Sequence, residues 1–175
     1  FSHIHQPGIA VGGHCIPVDP SYLSHRVRAV LGYSFRMVEL AEEVNTAAPV
    51  YVAQRISEEL NQRALAVNGA RVLLLGVTYK PDVADLRETP AEPLAARLLQ
   101  QGAALSFHDP LVHTWTVAGR QLSSVSDPYL AAAEADLVVL VQAHSDYDLA
   151  KLQNTGAHIF DTRGVLPVSG TTSRL

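Results

Sequence analysis

Apolar residues along this chain follow two rhythms, and the change comes near Asn68-Gly69. Before it they recur every three or four positions, the spacing of one helical face. Leu23, Val27, Val30 and Leu31 form a first set, which predicts a helix from Pro20 to about Leu31, closed by Gly32. Val38, Ala41, Val44, Ala48, Val52, Ile56 and Leu60 form a second, longer one. Glu39, Glu42, Glu43, Glu58, Glu59 and Arg63 cover its other faces, and Pro49 is expected to kink or divide it. A stripe of that length either packs on the core of its own domain or forms a seam with another domain or subunit.

Beyond Gly69 the apolar residues gather in short β-rich runs: Arg71–Gly76, Ala104–His108, Leu137–Val141 and His158–Asp161. Helical stretches lie between them. Thr89-Pro90-Ala91-Glu92 reads as a capping box opening a helix that Gly102 closes. Asp127-Pro128 opens another through Ala135, and Tyr147–Gln153 is a third, closed near Gly156. The pattern predicts an α/β chain: a helical segment with a long central helix, then a Rossmann-like parallel sheet with helices on both faces. The expected division is residues 1–68 and 69–175. Residues 1–19 read as loop, and Ser169–Ser173 as a frayed terminus.

Composition narrows the function classes. The 175 residues are 47% hydrophobic and 17% charged, a globular balance. A net charge of -4 leaves no basic footprint for nucleic acid or anionic lipid. No apolar run nears the ~20 residues needed to span a bilayer. A single cysteine excludes an internal disulfide framework and fits a reducing, cytoplasmic setting. The chain starts at Phe1 without an initiator Met or signal-peptide pattern, so it is expected to be part of a longer protein.

That cysteine is Cys15, within Gly12-Gly13-His14-Cys15-Ile16-Pro17-Val18-Asp19-Pro20. A thiolate is a competent nucleophile, and glycines let backbone come close to a ligand. Asp19, four residues on, suits either a helix cap or proton and water handling beside the sulfur. A lone cysteine is also often a small buried hydrophobe. Gly8-Ile9-Ala10-Val11-Gly12-Gly13 echoes a dinucleotide fingerprint but fails it: no strand precedes it, Ala10 replaces the middle glycine, and Pro17 is expected to interrupt a following helix.

In an open parallel sheet, ligands bind beyond the carboxyl ends of the strands. Lys80 and Arg87 follow the first of those ends and Arg163 the fourth, where a phosphate-bearing ligand would find them. Pairing with Asp82, Asp85 and Asp161, their near neighbours, is the competing reading. The turn Leu75-Gly76-Val77-Thr78-Tyr79-Lys80 has one glycine where a dinucleotide fingerprint needs three, so this sheet is not expected to hold NAD.

Three motifs in order carry a resemblance. Gly12-Gly13-His14-Cys15-Ile16-Pro17-Val18-Asp19 is similar to the active-site segment of the UDP-glucose/GDP-mannose dehydrogenase family, in the form found in members acting on UDP-N-acetylhexosamines. Gly76-Val77-Thr78-Tyr79-Lys80-Pro81-Asp82 with Asp85-Leu86-Arg87-Glu88-Thr89-Pro90-Ala91, and later Asp161-Thr162-Arg163, resemble the family's nucleotide-sugar domain. Val18 departs from the lysine many relatives carry there. The resemblance implies an NAD-dependent oxidation of a sugar C6 alcohol to the acid through a thiohemiacetal and a thioester on Cys15, with Asp19 assisting. It further implies that Gly12, Gly13, Tyr79, Lys80 and Arg163 meet the UDP-sugar and that Arg87 faces the cofactor. A homodimer or higher homo-oligomer through the central helix is implied too, with the NAD-binding domain lying outside these residues and the chain alone inactive. The alternative is a non-catalytic nucleotide-sugar-binding and dimerisation module.

Other readings find less support in the residues. A Cys–His hydrolase would need His108 or His144 to activate Cys15, and no oxyanion hole is marked. A metal site from His3, His5, His14 and Cys15 lacks a second cysteine, so no metal is expected. Trp115 reads as packing, and His25 and His158 as structural.

Overall fold

The computed structural model describes residues 8–175, and the expected α/β architecture is present. Two helices come first, α1 (Cys15–Leu31) and α2 (Arg36–Asn61). Gly32, in the left-handed region, ends α1 by donating its N–H to the Arg28 carbonyl at 3.1 Å. The start of α1 differs from expectation. It begins at Cys15, not Pro20, because Pro17 falls in the first turn, where a helix has no N–H bond to lose. Pro20 lies inside the same helix. Pro49 does not divide α2; it is buried within a single run of 26 residues.

The sheet follows. Its strands are β1 (Arg71–Leu75), β2 (Ala104–His108), β5 (Leu137–Leu140), β6 (Ile159–Asp161) and β7 (Thr172–Arg174). They lie in the order β2-β1-β5-β6-β7, and every pairing is parallel. Between them run α3 (Ala91–Gln100), a hairpin of β3 (Thr114–Val117) and β4 (Arg120–Ser123), α4 (Pro128–Glu134) and α5 (Leu149–Asn154).

Side chains alternate across a strand, so each face acquires its own core. Val72, Leu74, Phe107 and Val139 meet Val52, Ile56 and Leu60 of α2 and Leu94 and Leu98 of α3. Leu73, Leu75, Val138, Leu140 and Ile159 meet Ala132 of α4, Leu152 of α5 and Tyr147. The back half of α2 thus belongs to the sheet's core, while Met37, Leu40 and Val44 on its front half stay exposed. Trp115 packs edge-on against Phe107, with ring centroids 5.5 Å apart.

Several local expectations are revised. Thr89 does not form a capping box: its hydroxyl donates to the Val77 carbonyl at 2.7 Å and accepts from Ala91 N–H at 3.3 Å. Helix α5 starts after Tyr147, because Asp148 caps Lys151 N–H at 2.9 Å while Tyr147 turns inward. The tail is not frayed. Thr172–Arg174 adds a fifth parallel strand beside β6, and Thr172 is buried. The β3–β4 hairpin has no counterpart among the expected elements.

Candidate active site

Strand register sets the floor of the site. Leu75 lies opposite His108 on one side and Leu140 on the other, and Leu140 lies opposite Asp161. The chain therefore leaves four strands at one level, and the loops beyond them share one edge.

A buried polar network ties three of these loops. Asp109 accepts from Val77 N–H at 2.7 Å, Thr78 N–H at 3.3 Å and Leu111 N–H at 2.9 Å. Its fourth partner is His144 Nε2 at 3.1 Å, with both side chains fully buried. The other ring nitrogen, Nδ1, accepts Asp82 N–H at 3.0 Å, which places the imidazole proton on Nε2. Asp82 in turn accepts from Ser145 N–H at 2.8 Å and takes a left-handed backbone. Burial pushes the Asp109 carboxyl up, but the His144 hydrogen bond and the N–H groups of Val77 and Leu111 bring it below the ordinary carboxylate value. His108 and His144 are both engaged here as structural groups, since His108 Nδ1 and its carbonyl both meet the Tyr147 hydroxyl. Asp109 and His144 lie 35 residues apart in the chain, and no local signal in the sequence joins them.

At the switch point between β1 and β5 the chain packs closely on itself. A Cβ on Gly76 would come within 2.5 Å of the Gln142 carbonyl, and Gln142 Nε2 donates to the Tyr79 carbonyl at 2.9 Å. With one glycine in the turn, and Gln142 packed against it, this turn lacks the three-glycine cradle of a dinucleotide pyrophosphate.

The three cations behave differently. Arg87 pairs with Asp85 at 2.6 Å, and this bond holds its guanidinium above the usual range; Tyr79 and Cys15 lie within its electrostatic reach. Asp161 does not pair with Arg163 through its side chain. Its oxygens accept the N–H groups of Arg163, Gly164 and Leu166 at 2.7–2.9 Å and shape the turn after β6. The Arg163 guanidinium is half-buried, and burial lowers its pKa. Lys80 is exposed and joins no ion pair with Asp82 among the described residues. Of the three expected pairings, only Arg87–Asp85 forms.

Residues Gly8–Gly13 run along this edge and deliver Cys15 to it. A Cβ on Gly8 would collide with the Arg163 guanidinium, and Ile9 is buried in the sheet's core. Asn45 of α2 clamps Val11 from both sides: its Nδ2 donates to the Val11 carbonyl and its Oδ1 accepts the Val11 N–H, each at 2.9 Å. Gly12 rests on Glu88 and Pro90. Gly13 lies under the Tyr79 ring with φ +97°, a conformation that side-chain-bearing residues resist. What stands against both glycines here is the protein's own Tyr79 and its 88–90 turn.

Cys15 is exposed in the first turn of α1, where the helix leaves N–H groups unpaired. Asp19, also exposed, lies one turn further on the same helix face, too far along to be its cap. His14 occupies the N-cap position, while His3 and His5 lie outside the described residues. No trio of His, Cys, Asp or Glu capable of holding a metal occurs among the described residues. Behind the loop is a cleft of about 760 Å³ lined by Glu42, Glu88 and Glu92 beside Asn45 and Pro90, too acidic to seat a diphosphate.

Fold and edge together define a class: a Rossmann-like α/β domain with a thiol-bearing helix brought to the carboxyl edge of its sheet. Residues 73–168 match the UDP-binding domain of the UDP-glucose/GDP-mannose dehydrogenase family, and residues 1–47 match that family's central domain. The chain belongs to this family. It is 29% identical, over 97% of its length, to the UDP-N-acetyl-D-glucosamine 6-dehydrogenase of Pseudomonas aeruginosa. To the UDP-N-acetyl-D-mannosamine dehydrogenase of Methanocaldococcus jannaschii it is 27% identical over 94%. It spans 41% and 36% of those two relatives. Among solved structures, the UDP-N-acetyl-mannosamine dehydrogenase Cap5O from Staphylococcus aureus superposes over 99% of this chain and 38% of its own, with TM-score 0.66 and 30% identity. The NDP-N-acetyl-D-galactosaminuronic acid dehydrogenase from Methanosarcina mazei superposes with TM-score 0.81 over 98% of this chain and 39% of its own, at 24% identity.

Proposed function

We propose that this chain is the C-terminal portion of an NAD-dependent nucleotide-sugar 6-dehydrogenase that oxidises the C6 alcohol of a UDP-N-acetylhexosamine to the uronic acid. The observation that carries the reading is the path of Gly8–Gly13, which passes from Arg163 to Tyr79 and ends at an exposed Cys15. Residues 1–68 then supply the thiol loop and the central helices, through which two copies pair, and residues 69–175 supply the UDP-sugar domain.

In this reading Lys80 and Arg163 meet the diphosphate, Arg163 trading a half-buried position without a side-chain anion for a phosphate. Tyr79 and the backbone at Gly12 and Gly13 line the sugar, and Arg87 faces the cofactor. NAD is assigned to residues outside this sheet; when bound there it would accept one hydride from the C6 alcohol and a second from the thiohemiacetal, which makes the thioester. The chain's own chemistry begins at the C6 aldehyde. The Cys15 sulfur adds to the carbonyl carbon, a C–S bond forms, and the oxygen takes a proton, giving the thiohemiacetal. At the thioester stage water attacks the same carbon, the C–S bond breaks and the thiolate leaves. Asp19, one turn along α1, accepts the proton of that water.

Titration calorimetry with UDP tests the binding half. The 175 residues should bind UDP, and Lys80→Ala or Arg163→Ala should each weaken it roughly tenfold to a hundredfold, as loss of a charged hydrogen bond implies. Supplied with NAD and UDP-N-acetylglucosamine or UDP-N-acetylmannosamine, the chain alone should form no NADH. Unchanged UDP affinity in both variants would remove the assignment of this edge.

A further inference from the structure

We propose that Asn45 is the positioning residue for Cys15. This rests on the reading of Cys15 as the nucleophile, and it concerns a residue within α2 (Arg36–Asn61) rather than any ligand contact. The segment Gly8–Gly13 carries glycine at 8, 12 and 13, the residue type with the most backbone freedom to lose. It belongs to no helix or strand. Among the described residues, its backbone makes hydrogen bonds with one partner only, the Asn45 carboxamide.

That partner is chemically apt. A primary amide offers one acceptor and one donor in a plane, as a neighbouring strand would, and Val11 presents the complementary N–H and carbonyl. Both distances are 2.9 Å. The remaining anchors of the segment, Ile9, Arg163, Pro90 and Tyr79, belong to the sheet side and act by contact. Asn45 is thus the hydrogen bond that ties the segment to α2. Helix α2 also holds α1, through Glu42 to Ser21 at 2.6 Å and Glu39 to Ser24 and Arg28 at 3.3 and 2.6 Å. Residues 39, 42 and 45, three apart, fall along one face. One helix therefore sets both ends of the stretch that bears the sulfur.

The test compares the chain with Asn45→Ala, which removes both bonds, and Asn45→Asp, which is isosteric but turns an acceptor toward the Val11 carbonyl. Amide hydrogen exchange at Val11 and the rate of Cys15 alkylation by iodoacetamide are read between pH 6 and 9. In Asn45→Ala, which loses the acceptor, Val11 should exchange at least tenfold faster, and in both variants the alkylation profile should shift by threefold or more, while amides of Val72–Leu75 keep their protection. A side chain that served only the helix would leave Val11 and Cys15 unmoved, since alanine is the better helix former. Wild-type exchange at Val11 in Asn45→Ala, or wild-type alkylation in both variants, overturns the proposal. Neither readout needs substrate, so a loop that responds in a chain that fails to bind UDP would uphold the positioning and sink the nucleotide-sugar reading instead.

Discussion

At the scale of single residues, most of the site is held by groups doing conformational work for one another. Gly13 shows this best. Its backbone is at φ +97°, and an added Cβ would stand 2.8 Å from the Tyr79 ring. Gly13→Ala therefore carries two penalties, backbone strain of about 1–3 kcal/mol and overpacking of about 1–3 kcal/mol. Urea unfolding should show a loss of roughly 2–6 kcal/mol on those grounds. Adding Tyr79→Ala should restore the overpacking part and leave the strain. If Gly13→Ala were neutral, the docking of this loop on Tyr79 would be wrong.

At the scale of elements, α2 does two jobs with its two halves. Ile56 and Leu60 are fully buried beneath the sheet, whereas Met37 is 73% and Val44 62% exposed. Ile56→Ala should cost about 2–5 kcal/mol, the range for truncating a buried aliphatic side chain. Met37→Ala and Val44→Ala should change the chain's unfolding free energy by no more than about 0.5 kcal/mol, as surface substitutions do. Equal losses from both ends would mean that the front half is covered in solution, and sedimentation of the same samples would then reveal the partner copy that the proposed dimer requires.

At the scale of the whole molecule, stability depends on pH in a direction set by burial. His108 is held below its ordinary value of 6.5 chiefly by burial, against the pull of Asp109, and His158 likewise by burial and then Arg63. Such groups favour the native state fully above the unfolded value, and that contribution is lost as pH falls below it, because the unfolded chain takes the proton first. Asp109, lowered overall from 3.8, loses its contribution only in more acid solution. Urea midpoints should therefore fall between pH 7 and 5, ahead of the carboxylates, and His108→Gln should flatten that first decline. A midpoint constant down to pH 5 in the unaltered chain would contradict it.

Local pattern and chemistry already determined the α/β class, the positions of β1, β2, β5 and β6 to within a residue or so and the residues that gather at one sheet edge, because strand hydrophobicity and end signals are short-range properties. They also singled out Cys15 and the cations beyond the strands. What they could not supply were relations between distant residues: Asp109 with His144, Asn45 with Val11, Gly13 with Tyr79. Thr172–Arg174 is a strand only because β6 offers it an edge, and the β3–β4 hairpin turns at Ala118-Gly119, where Ala118 takes a left-handed conformation that its residue type does not announce. The first turn of α1 at Cys15 was hidden by Pro17, which a helix tolerates there and resists elsewhere. Only the tertiary structure decided which polar groups would meet, since a hydrogen bond between residues scores apart depends on where packing leaves the backbone, not on the residues that flank either partner.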